Sequence, residues 1–405
     1  MFKTVVRIFF LLNLFLNIVS CPTNYNENKV ESNKIFYSLE LDKLELLKLK
    51  SLPLKQQNSL PIVRKASQLL QTDPISIIDK SKPGPSGNFQ DYYSISPYWW
   101  PNTQTYDGLP YVRIDGFRNP EVDDYDRIKL IKLKERILTL GIAYYITNNE
   151  DFASAAIDQI NIWFINSETS MTPHLFYAQA IPGETEGRAL GIIESRDFVF
   201  ILDAVKMLST STNWSNDIES SLKDWFSKYL NWLWTHPRGE TEKNQINNHA
   251  TWYDLQVAAF AEFTENDEIL HSVLNGFAEY RIETQIDETG KQPFEMRRAD
   301  GMQYSVFNLQ AMLMMTHIGD RNGFDYWNYP LAHKSKLEKA INYITDTNNT
   351  LSIKETSREE TLDDCSLAPI LYNVYLYNRN YSLKIKYQNI NLSNCSEFYF
   401  IPERL

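Results

Sequence analysis

The chain has 405 residues, a formal net charge of −11, 43% hydrophobic and 13% aromatic residues, and three cysteines. Its length allows one large core or two domains, and its aromatic surplus suits core packing and stacking on sugar rings alike. The acidic balance excludes nucleic acid as a partner and repels a polyanion at long range, so any anion site has to be a local basic cluster.

The chain opens Met1-Phe2-Lys3 with Arg7, continues through an apolar run from Ile8 to Val19 broken by Asn13 and Asn17, and reaches Ser20-Cys21-Pro22. Residues 1–20 read as a secretory signal peptide, because the apolar stretch is too short to span a bilayer. No later segment is long and apolar enough to cross one, so no membrane partner is expected. Export fits five Asn-X-Ser/Thr acceptors at Asn213, Asn348, Asn380, Asn391 and Asn394. In an oxidising compartment Cys365 and Cys395 can bridge, while Cys21 lies at the cleavage site. A secreted, extracellular glycoprotein is expected.

Residues 21–90 are polar and mixed, and are expected to form an N-terminal extension packing on the remainder. Their Ser81-Lys82-Pro83-Gly84-Pro85-Ser86-Gly87 break marks a loop and not a boundary. Residues 91–405 are expected to form one catalytic domain. From about 125 onward, apolar residues recur at three- and four-residue spacing, and Asn/Asp/Ser-rich turns fall near 149, 212, 266, 321 and 379. Paired helices repeating at that interval predict an all-α ring of αα-hairpins. The alternation from Leu383 to Phe400 predicts a small C-terminal β hairpin.

Two segments carry candidate chemistry. Asn247-Asn248-His249-Ala250-Thr251-Trp252-Tyr253-Asp254 places amides, an imidazole and aromatics at the start of a helix, and Arg297-Arg298-Ala299-Asp300-Gly301-Met302-Gln303-Tyr304 adds cations and a phenol. β-Elimination on a uronic acid polymer needs the carboxylate neutralised, the C5 proton removed and the bridging O4 protonated. Asn248, His249 and Arg298 have the donor chemistry for the first task, and Tyr304 can serve as base, acid or both. Each has a plainer reading: Asn248 as a helix cap, Tyr304 as a core aromatic on a face with Phe307, and the Arg pair as solvated charges on a loop.

Tyr98-Trp99-Trp100-Pro101 reads as a loop, because the flanking prolines oppose helix, and it is either a staple between helices or a sugar platform. Arg113 and Arg118 are candidates for distant substrate carboxylates, with Gln179, Arg188 and Glu194 in the same groove. Trp252, Tyr253 and Arg297 are taken as further substrate contacts. There is no His-Glu-X-X-His, P-loop or Gly-X-Gly-X-X-Gly motif, and the six histidines do not cluster, so neither cofactor nor metal is expected.

With Ser96 to Pro101, Gly108 to Gly116, Asn119-Pro120-Glu121, Gly191 to Glu194, Asn247 to Asp254 and Tyr304 to Leu309, the chain resembles the alginate lyase family of polysaccharide lyases. The resemblance runs from about 90 to 345 and implies an (α/α) toroid. It also implies that Asn248 and Arg298 neutralise the substrate carboxylate, that His249 assists or acts as base, and that Tyr304 is the catalytic phenol. Better studied members resemble Arg-Ala followed shortly by Tyr-His-Asn-Tyr, whereas here Arg298-Ala299 is followed by Tyr304-Ser305-Val306-Phe307, so positions 304 and 307 compete for the phenol.

The expected activity is cleavage of a 1,4-linked uronan such as alginate or glucuronan by β-elimination, by a monomer with an acidic polysaccharide as its partner. One alternative is an inverting glycoside hydrolase using Glu194 and Asp254 with a water between them. Another is a catalytically silent carbohydrate-binding protein.

Overall fold

The computed structural model describes residues 43–330, 335–346, 362, 365–368 and 370–371. The leader, Asn348, Asn380, Asn391, Asn394, Cys395, the turn near 379 and the C-terminal hairpin lie outside the described residues.

Three short helices come first, α1 (Lys43–Lys50), α2 (Leu54–Gln57) and α3 (Pro61–Leu69). Leu46, Ile62, Val63 and Ala66 bury their side chains in the main core. Three strands follow, β1 (Tyr93–Ile95), β2 (Trp99–Trp100) and β3 (Val112–Arg113). The helical hairpins then begin with α4 (Asp126–Thr147) and α5 (Glu150–Ile160). After β4 (Tyr177–Ala180) and a 3-10 segment, Ala189–Arg196, come α6 (Asp197–Leu208) and α7 (Asn216–Thr235). The remainder comprises α8 (Pro237–Lys243), the pair α9 (Asn248–Phe263) and α10 (Asp267–Phe277), and the pair α11 (Gly301–Arg321) and α12 (Lys336–Thr345).

Helices α4, α6, α9 and α11 pack in sequence against one another, with α5, α10 and α12 outside them. Their side chains explain the division. α9 is buried on every face from Ala250 to Ala261, as an inner helix must be. α10 buries only Leu270, Val273, Leu274 and Phe277, the single stripe of an outer helix. The turns fall where the sequence places them: Asn148 adopts φ 53 to end α4, and the side chains of Asn149 and Asn266 accept the first free N–H groups of α5 and α10.

Strand structure exceeds what the sequence suggested. β1 pairs in parallel with β4, and β2 pairs antiparallel with β3, so the Trp99-Trp100 segment read as a loop is one side of a short hairpin. The 3-10 segment lies directly on β4 because a Cβ at Gly191 would come 2.5 Å from that of Ala178. Glu194 then braces β1 to this segment, accepting from Tyr92 at 2.7 Å and Ser94 at 2.6 Å.

Candidate active site

The start of α9, the residues preceding α11, and the β2–β3 hairpin together line a cavity of about 400 Å³. Its walls carry Arg113, Arg118, Arg127, Arg188, Arg196 and Arg298 against one carboxylate, Glu194. A local basic cluster therefore exists inside an acidic chain. Crowding is visible in the cations themselves: burial pushes the Arg196 guanidinium down to about 10, with Arg127 adding to the effect, and burial followed by Arg113 lowers Arg188. Arg196 rests on aromatic faces, 5.1 Å from the centroid of Phe307 and 5.9 Å from that of Trp252.

Asn248 is the first residue of α9, and a buried carboxylate secures it. Its backbone N–H donates to Glu295 Oε1 at 2.5 Å, and its side-chain Nδ2 donates to Oε2 at 2.8 Å. Burial pushes the Glu295 carboxyl above its usual range, and the two donors of Asn248 oppose that shift. One amide hydrogen of Asn248 is left for another acceptor. His249 directs Nδ1 at Glu242 Oε1, 2.6 Å away on a fully buried carboxylate. That contact directs Nδ1 at the carboxylate and fixes the plane of the ring, so that Nε2 is the nitrogen left to meet a substrate, the orientation a general base needs.

Tyr304 lies in the first turn of α11, and its hydroxyl accepts from Arg298 Nη2 at 2.9 Å. The same hydroxyl is 2.7 Å from that of Tyr98. Burial and the Tyr98 hydrogen bond raise the phenol above its ordinary value, and Arg298 only partly offsets them, so Tyr304 is protonated at neutral pH in the free protein. Phe307, at the other position, lines the same cavity and stacks on Trp252 with centroids 4.9 Å apart.

Of the expected substrate contacts, Tyr98, Trp99, Arg113, Gln179 and Arg188 line the cavity with the four catalytic candidates. Gln179 holds φ 49, a backbone conformation costly for a side-chain-bearing residue, and its Oε1 accepts from Arg188 Nη2 at 2.7 Å. Trp100 lies off the cavity, its indole donating to the Phe117 carbonyl at 2.9 Å. Trp252 and Tyr253 require correction as sugar contacts. Both are 1% exposed on an inner helix, with the indole N–H spent on the Phe307 carbonyl and the phenol on that of Leu233. Arg297 is exposed over the Phe294 ring and does not line the cavity.

The Glu194 and Asp254 pair does not form a hydrolytic site. Glu194 is held by Tyr92 and Ser94, while Asp254 lies outside the cavity lining in a buried pair with Arg281 at 2.8 Å. Sequence reasoning missed Glu242, Glu295, Arg127, Arg196 and Asp115. Asn213 is exposed in the turn after α6, with Nδ2 donating to Glu150 at 3.1 Å. Cys365 is disulfide-bonded, with a partner outside the described residues. Among the described residues no group of acids, histidines and cysteines could hold a metal, and no helix is long and apolar enough to cross a membrane.

A helical toroid whose arginine-lined cavity joins an amide, an oriented imidazole and a guanidinium-bound phenol is that of a polysaccharide lyase. The chain belongs to the alginate lyase family, whose model matches residues 76–350. It is similar to the crystal structure of an alginate lyase from Bacteroides ovatus, with 31% identity and a TM-score of 0.80 over 91% of this chain and all of that one. Alginate lyase A1-III from Sphingomonas species A1 shares the fold at 14% identity, with a TM-score of 0.54 over 85% of this chain and 89% of that one. A variant of A1-III complexed with tetrasaccharide matches at 13% identity and a TM-score of 0.52, over 83% of this chain and 92% of that one. No curated protein matches the chain.

Proposed function

We propose that this protein is a secreted lyase that cleaves 1,4-linked uronans of the alginate or glucuronan type by β-elimination, leaving an unsaturated uronate at the new non-reducing end. The observation that carries the reading is the Arg298–Tyr304 hydrogen bond at 2.9 Å inside a cavity walled by six arginines. A neutral glycan has no need of such a wall. A uronan presents a carboxylate on every ring, and its C5 proton becomes removable only when that carboxylate is neutralised.

Asn248 and Arg298 serve as the donors that stabilise the enolate, an effect worth roughly 3 to 4 kcal/mol per donor removed in comparable oxyanion sites. Tyr304, protonated at rest, gives its own proton to O4 when another group has taken H5. Two groups can take H5, and the sugar selects between them. Guluronate places H5 opposite O4, where His249 Nε2 is the base. Mannuronate and glucuronate place both on one side, where Tyr304, once its own proton has passed to solvent, takes H5 as the phenolate and delivers it to O4.

Secretion rests on the sequence of the leader and on the sequons. The tetrasaccharide complex of the A1-III variant and the name of the Bacteroides ovatus relative support an acidic oligosaccharide ligand. The test is to incubate the purified protein with a panel of alginate, its mannuronate and guluronate blocks, and glucuronan. The reading requires new ultraviolet absorbance from the conjugated uronate with at least one of them. Reducing ends released without that absorbance would replace it with hydrolysis.

A further inference from the structure

Arg298 reaches the cavity already held along one edge. Asp115, two residues beyond β3, accepts from its Nη2 at 2.9 Å and from its Nε at 3.3 Å, a side-on fork between carboxylate and guanidinium. The same carboxylate accepts from Arg113 Nη2 at 2.8 Å and so lies between two cations of the cavity wall. Asp115 itself does not line the cavity, whereas Arg113 and Arg298 both do.

The fork occupies the Nε and Nη2 edge. Nη2 also serves Tyr304, and Nη1 remains for a ligand. One carboxylate outside the cavity thus fixes the direction in which two N–H groups point inside it. We infer that Asp115 is a positioning residue of the reaction, setting the rotamer of Arg298 so that one guanidinium meets both the Tyr304 hydroxyl and the carboxylate of a uronate ring. The inference rests on the uronate reading of the site.

Two other acid–arginine pairs among the described residues make the contrast. Asp197 with Arg127 and Asp254 with Arg281 have acid side chains 3% and 8% exposed, as expected of pairs within a core. Asp115 is 32% exposed, and Arg298 is 19% exposed. An ion pair this open contributes little to stability. Its value lies in geometry, since displacing a catalytic group by a fraction of its reach costs rate and not fold. Asp115 also ties the β2–β3 hairpin, which carries Arg113, to the residues preceding α11.

The test is a double-mutant cycle of Asp115→Asn with Arg298→Ala, read by initial rates on whichever of polymannuronate, polyguluronate or glucuronan the wild type cleaves. Asp115→Asn alone should lower kcat by about ten- to a hundred-fold, the range for removing the partner that orients a functional ligand. KM should move less, and Asp115→Glu should restore part of the rate. In the Arg298→Ala background Asp115→Asn should cost nothing further, because the residue it orients is gone. Asp123→Asn, which frees the exposed Arg118 in the same wall, should change the rate by no more than about two-fold.

Equal losses from Asp115→Asn in both backgrounds would overturn the inference and leave a structural role. Tighter binding with unchanged kcat would overturn it too, by making Asp115 a competitor for the guanidinium. Asp115→Ala in the same cycle serves if the Asn variant melts early. Wild-type protein that neither binds nor cleaves any of the three uronans would remove the uronate reading and this inference with it, whereas cleavage with additive losses would remove only the inference.

Discussion

The Arg298 guanidinium donates to the Tyr304 hydroxyl at 2.9 Å while lying 4.1 Å from the centroid of the same phenol ring. A cation held both at the oxygen and over the face favours the phenolate, against burial and the Tyr98 hydrogen bond that favour the phenol. Tyr304→Phe should therefore reduce turnover by at least about 100-fold, the general acid–base contribution, while oligouronate affinity by calorimetry stays within a few-fold. Retained turnover would remove Tyr304 from the chemistry.

Glu242 and His249 form the second coupled pair. With Nδ1 2.6 Å from a carboxylate of zero exposure, the imidazole is fixed in direction. Glu242→Gln should lower kcat by about 100-fold with a smaller change in KM, as expected when an oriented base loses its carboxylate. The effect should be greatest on guluronate blocks, where the proposed mechanism makes His249 the base, and a comparison of rates on the two block types checks it.

Gln179 stores backbone strain beside the cavity. Gln179→Gly should relieve the φ 49 conformation and raise stability by up to about 1 kcal/mol, yet leave Arg188 with the Ser96 hydroxyl alone of its two 2.7 Å acceptors. A melting temperature that holds or rises together with a raised KM is the expected outcome, and thermal melts with steady-state kinetics measure both.

Asp197 links acid stability to the cavity wall. Burial works against its charge, but Arg127 at 2.6 Å and Lys134 at 3.4 Å hold its carboxyl far below the usual range. As the pH falls the unfolded chain binds the proton first, so the stabilisation is complete above the ordinary Asp value of about 4 and drains away below it. Asp197→Asn should cost about 3 kcal/mol at neutral pH and flatten the acid limb of the stability curve, as measured by denaturant unfolding from pH 7 to 3.

The helical ring was legible because spacing and caps repeat: Asn148, Asn149 and Asn266 sit at the turns, and outer helices show one apolar stripe. Asn248, His249, Arg298 and Tyr304 were legible by chemical type, which is rare in such proximity. Trp252 and Tyr253 were misread since aromatic type does not reveal which face of a helix is inside, and on α9 every face is. Glu295 was invisible because it lies 47 residues from Asn248, and nothing in a lone acid names its distant partner. Asp115 was passed over in a loop for the same reason, 183 residues from Arg298. Trp99 and Trp100 were read as loop because their prolines oppose helix, and a two-residue ladder leaves no alternation to detect.

The most direct measurement is the fate of the cleaved bond in water labelled with heavy oxygen. Products from the wild-type protein and the uronan it cleaves fastest, analysed by mass spectrometry, should gain no heavy oxygen beyond the background exchange of a free reducing end, and each cleavage should leave one product that lacks one water at its new non-reducing end. Heavy oxygen at the new chain end, with a saturated ring beside it, would show hydrolysis and contradict the assignment of Asn248, His249, Arg298 and Tyr304 to elimination.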